Sequence, residues 1–69
     1  MREKLVHLVT QWDMKQAKRK HYNPYALAQY LEAVDSAMGA IDSGSSPEAS
    51  LRAHFNDRLL TYLLKGIEP

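Results

Sequence analysis

Metal binding and nucleophilic attack are the chemistries this sequence offers first, through His7, His21 and His54 and through Ser36, Ser43, Ser45, Ser46 and Ser50. A zinc-type centre needs three or four ligands converging at fixed spacing. The histidines come from three separate segments with no HExxH pair, and only His54 has a carboxylate, Asp57, at i, i+3. They read as surface or half-buried histidines, and no metal is expected. No serine stands in a GxSxG elbow or at a motif spacing from a histidine, and loop or capping use accounts for most of them. The acids Glu32, Asp35, Asp42 and Asp57 fall mostly on expected polar faces. A chain of 69 residues is also expected to lack a substrate pocket of roughly 300 Å3 or more. The sequence reads as a non-enzyme without a cofactor.

The remaining concentration of chemistry is "KQAKRKHYNP", residues 15–24, where Lys15, Lys18, Arg19 and Lys20 precede a histidine, a tyrosine and an Asn-Pro turn. On a helix, Lys15, Lys18 and Arg19 share a face at i, i+3, i+4, suited to phosphate contacts. The same cations also suit the negative end of a helix dipole, which requires no ligand. Net charge is only +1, split as +4 through His21 and −3 beyond it. That division favours either docking of the first helix on the rest or a basic face turned to an acidic partner. No helix-turn-helix spacing is present. Tyr22, Tyr25 and Tyr30 cluster at and after the turn, and Trp12 and Tyr62 join them if the helices pack antiparallel. Such tyrosines seal small cores, and aromatics with arginine also mark the centres of protein interfaces.

The elements that must position these residues are helical. Leu5, Leu8, Val9 and Trp12 recur at i, i+3, i+4, i+7, with Val6 adjoining and Ala17 extending the face weakly. Asn23 and Pro24 read as N-cap and first helical residue of a second helix. Its stripe is Leu27, Tyr30, Leu31, Val34, Met38 and Ile41, and Gly39 is expected to weaken it near its end. Gly44 suits the position just past a helix, and either Ser45 or Ser46 caps the next one. Leu51, Phe55, Leu59, Tyr62 and Leu63 form the third face, widened by Leu60, Leu64 and Ile67 and stopped by Gly66 and Pro69. No stretch alternates as a strand does. The expected fold is all-α, a three-helix bundle with helices about 2–20, 24–43 and 47–65 and a very short first connection around Tyr22 and Asn23, forming one domain over residues 1–69.

Two of these segments carry a resemblance. "HYNPYALAQYLEAV" (21–34) and "SLRAHFNDRLLTYLL" (50–64) resemble the theta subunit family of bacterial DNA polymerase III, through Tyr22, Asn23, Leu51, Arg52, Phe55, Arg58 and Leu59. The resemblance implies a small three-helix protein without catalytic activity that binds and stabilises a proofreading exonuclease subunit. Residues 1–20 lie outside it, and "SAMGAIDSGSSPEA" is longer than the family's turn. The chain also looks like small proteins of bacterial conjugative elements and plasmids, a likeness that supplies no function.

Together these features suggest a small adaptor that binds another protein, with Lys15, Lys18, Arg19, Tyr22 and Tyr25 making the contacts and Arg52 and Arg58 adding to them. The alternatives are a nucleic-acid-binding accessory protein using residues 15–21, and a self-associating module whose band "LLTYLLKGI" exceeds what two short neighbours cover. The absence of cysteine, signal-like run and membrane-length apolar segment points to the cytoplasm.

Overall fold

A computed structural model describes residues 2–67. Among them the chain is all-helical, in four helices: α1 Arg2–Gln16, α2 Ala26–Asp42, α3 Pro47–His54 and α4 Asp57–Ile67. α1 runs antiparallel to α2, with Arg2 paired to Asp35 at one end and Tyr22 bonded to Asp13 at the other. It also runs antiparallel to α4, where Leu8 meets Gly66 and Trp12 meets Tyr62. The core is Leu5 and Val9 from α1, Val34 and Ala37 from α2, and Leu51, Phe55, Leu59, Leu60 and Leu63 from the last third of the chain. No helix among the described residues is long and apolar enough to cross a membrane.

The expected third helix, 47–65, is two helices. Phe55 is extended, at φ −127° and ψ 149°, so the ladder that began at Pro47 stops there. Asn56 restarts it: its Oδ1 accepts the Leu59 N–H at 2.9 Å and its carbonyl accepts the Leu60 N–H at 2.8 Å. Asp57 then lies in the first turn of α4, where a carboxylate suits the positive end of the helix dipole. The break rotates α4 relative to a continuous helix, so Leu60 enters the core and Tyr62 is left half-buried. This lets a short chain wrap α3 along α2 and α4 along α1.

The other two boundaries also differ. α1 ends at Gln16 rather than residue 20, and the very short connection becomes residues 17–25. Continuing the helix would stack Lys15, Lys18 and Arg19 at repulsive i, i+3, i+4 spacings with no apolar side chain to bury; Ala17 is in fact exposed. α2 begins at Ala26, after Asn23 Oδ1 accepts the Tyr25 N–H at 2.9 Å and its carbonyl accepts the Ala26 N–H at 3.1 Å. Asn23 thus organises the entry as a turn, three residues before the first residue of the regular helix.

α2 passes through Gly39 without interruption and ends in a Schellman motif, with Ser45 N–H on the Ala40 carbonyl and Gly44 N–H on that of Ile41. Gly44 has a φ of +105°, which glycine adopts without strain. Ser46 is the serine that caps α3, accepting the Ala49 N–H at 3.2 Å. Gly66 lies inside α4 rather than ending it. A Cβ there would stand 2.5 Å and 2.7 Å from the two Leu8 methyl carbons, so a larger residue would force the Leu8 side chain to shift. Pro69, the other expected stop, lies outside the described residues.

Two substitutions check this arrangement. Asn56→Ala should cost about 1 kcal/mol in urea unfolding, and Asn56→Asp much less, because a carboxylate still caps; equal costs would mean the break does not depend on the cap. Gly66→Ala should be more favourable by about 1 kcal/mol in a Leu8→Ala background than in the wild type, since the overpacking is then relieved. A double-mutant cycle without coupling would refute the close approach.

Candidate functional site

The link from α1 to α2 builds the most chemically distinctive surface of the protein. Its anchor is Asp13, which falls at i, i+4, i+8 with Leu5 and Val9 and is carried by α1 into the buried face, at 7% exposure. A carboxylate taken out of water needs hydrogen-bond donors. Tyr22 supplies one, its hydroxyl donating to Asp13 Oδ2 at 2.8 Å, while the buried Oδ1 has no protein partner. The hydrogen bond to Asp13 raises the Tyr22 phenol above its ordinary value, with burial and the carboxylate's charge acting the same way. This contact folds the link back along α1.

With Tyr22 pinned, residues 17–21 turn outside the helix, and those from Arg19 onward border an open cleft of about 370 Å3. Arg19, Lys20 and His21 line one part of it, and Gln16, Tyr22, Asn23, Ala26 and Tyr30 complete it. None of the described acidic residues lines the cleft. Its volume exceeds what the sequence leads one to expect of so short a chain, because the extra room comes from the unwound link and not from the helical core. The first turn of α2 opens beside it, with no acidic residue and no side-chain cap at Tyr25.

The sequence places Lys15, Lys18 and Arg19 on one helical face, and the structure separates them. Only Lys15 lies in the last turn of α1. Lys15 and Lys18 line a second depression of about 190 Å3 with Gln11 and Met14, whereas Arg19 lines the larger cleft. The helix-dipole account therefore serves Lys15 alone, since the dipole's influence falls off beyond the last turn. Lys15 has a further partner, its Nζ standing 5.0 Å from the centroid of the Tyr62 ring. Tyr62 itself packs on Trp12 at 5.3 Å between centroids.

Tyr22 and Tyr30 form part of the cleft wall, and Tyr25 projects beside it at 74% exposure. The register of α4 on α1, Gly66 at Leu8 and Tyr62 at Trp12, sets exposed Arg58 level with Gln16, at the same end as the cleft. Arg52 does not join the cleft lining: it sits on α3 with its guanidinium on Glu48 at 2.8 Å. Of the histidines, His21 is in the cleft while His7 and His54 are exposed on α1 and α3. Sequence reasoning missed Asp13, although its i+4 spacing from Val9 carried the signal.

Comparison with known proteins returned no matching family model, no matching curated protein and no matching solved structure.

The Asp13–Tyr22 bond has a pH signature. Tyr22 is raised in the folded state, so its contribution to stability is full below the ordinary tyrosine value near 10 and is lost as pH rises through the higher folded value. Asp13→Asn should bring the Tyr22 phenol back toward that ordinary value in an ultraviolet titration, with Tyr22→Phe identifying its signal among the four tyrosines. An unchanged phenol titration in Asp13→Asn would show that the bond is not formed in solution.

Proposed function

We propose that the chain is a small non-catalytic adaptor or accessory subunit that binds another protein, with the corner formed by residues 15–30 as its docking face. The observation that carries this reading is the cleft itself, where Arg19 and Lys20, from the run Lys15, Lys18, Arg19 and Lys20, line a concave surface walled by two tyrosines. A run of cations that merely ended a helix would lie within its last turn, and three of these four lie past it. Lys18, Arg19, Tyr22 and Tyr25 are the contacting residues, Lys15 contributes from the second depression, and Arg58 extends the face from α4. Arg52 belongs to the reading only through the theta-like segment.

That resemblance supports an accessory role and suggests a proofreading exonuclease subunit as the partner, in a replication or mobile-element system. The fold is then best taken as a three-helix bundle whose third helix is divided at Phe55 and Asn56. The division falls within Leu51, Arg52, Phe55, Arg58 and Leu59, the residues on which the likeness rests, and so distinguishes this chain from a family whose matching segment forms one helix.

The test is affinity capture from a lysate of the native host, with nuclease treatment and at two salt concentrations, using the wild type and Lys18→Glu/Arg19→Glu. A discrete protein that survives nuclease and is lost with the double variant supports the docking face. The variant should keep its helicity and lie within about 0.5 kcal/mol of wild-type stability, as exposed substitutions do. Nuclease-sensitive, steeply salt-dependent recovery would assign the corner to nucleic acid instead. Melting that depends on protein concentration, with no captured partner, would favour self-association.

A further inference from the structure

Resting on this docking-face reading, we propose that the cleft between the α1–α2 link and the start of α2 accepts an acidic polypeptide segment, its carboxylates facing Arg19, Lys20 and His21. The charge around the cleft is one-sided. Arg19 and Lys20 are exposed and make no side-chain ion pair among the described residues, so their donors are free for a ligand. Asp13, which Tyr22 of the cleft wall contacts, is buried with one oxygen already on the phenol. The cleft thus has a cationic rim and a carboxylate turned away from it. The α2 terminus beside it adds backbone N–H groups and the positive end of a helix dipole, unopposed by any acid in its first turn.

The choice of polypeptide over nucleic acid follows from how far the positive surface extends. A nucleic acid presents a phosphate every few ångströms along its length and is held by a continuous basic track. Here the cationic region is one corner, and exposed Glu32 and Asp42 on α2, with Asp35 and Glu48 paired to Arg2 and Arg52, occupy the helices beyond it. A polyanion leaving the cleft along those helices meets like charge. A short acidic segment does not, because its flanks can be neutral or apolar. The neighbouring depression supplies a suitable seat for such a flank, combining Lys15 and Lys18 with Met14, which is 58% exposed. A thioether on a flexible stem adapts to varied apolar side chains.

A synthetic octaglutamate peptide and an oligothymidylate of equal charge are the probes, each titrated into the isotope-labelled full chain and followed by amide chemical shifts. The peptide should shift residues 16–30 selectively, bind more tightly than the oligothymidylate, and weaken as salt is raised. Arg19→Glu/Lys20→Glu should bind the peptide about tenfold more weakly or worse, while Lys4→Glu/Lys65→Glu, with the same change in net charge on exposed positions away from the cleft, should bind it nearly as the wild type does. Peptide shifts scattered over the surface, equal weakening by both variants, or tighter binding of the oligothymidylate would each overturn the proposal. If host-lysate capture still depends on Lys18 and Arg19 while the peptide fails to bind, the docking face stands and the acidic class is wrong. If both fail, the docking face falls with it.

Discussion

A single hydrogen bond between the Tyr22 hydroxyl and the buried carboxylate of Asp13 determines what the corner of this protein looks like. Backbone bonds from Ala17 to Asp13 and from Arg19 to Gln16 start the turn away from α1, and the Tyr22 contact closes it. The backbone thus returns toward the helix it has just left, with Arg19 and Lys20 at the cleft and Lys15 and Lys18 at the second depression. The interaction is demanding, because a carboxylate removed from water is costly and only one of its oxygens has a protein donor. That cost falls at the basic corner. Elsewhere among the described residues the core is aliphatic and aromatic apart from Ser50, whose buried hydroxyl also lacks a protein partner, and the exposed ion pairs, Arg2 with Asp35 and Arg52 with Glu48, contribute little.

The helical class, the core faces of α1 and α2 and the turn at Gly44 were legible because each depends on local spacing and local backbone chemistry. Leu5 and Val9 are buried where periodicity put them, and Val34 lies at the centre of its stripe. The third helix was misread as continuous because apolar periodicity is tolerant of a local break. Leu51, Phe55, Leu59 and Leu63 keep an i, i+4 pattern straight through the break, so the pattern hides it. Asn56 followed by Asp57 was the contrary signal, a cap and a first-turn acid in mid-pattern. At the corner, the end of α1 was obscured because lysine and arginine have good helix propensity, and their mutual repulsion acts only once they are stacked.

Two of the three glycines illustrate how differently the same residue type serves a small fold. Gly44 is needed for its backbone, at a positive φ that closes α2 and releases the chain into α3. Gly66 serves by its lack of a side chain, since the Leu8 methyl carbons lie where a Cβ would stand. Gly44 thereby sets the turn from α2 into α3, and Gly66 the closeness of α4 to α1.

The packing of Trp12 against Tyr62 also makes the molecule self-reporting. Trp12 is the sole indole of the chain, and it lies at the seam where α4 meets α1. Its emission, and the energy it receives from the adjacent phenol ring, register the docking of the last helix without any attached dye. Lys15 spans from that aromatic pair to the second depression, its ammonium over the Tyr62 ring. An occupant that drew this ammonium away would alter the electrostatic surroundings of the fluorophore, so the protein carries an optical channel from its basic corner to its interior.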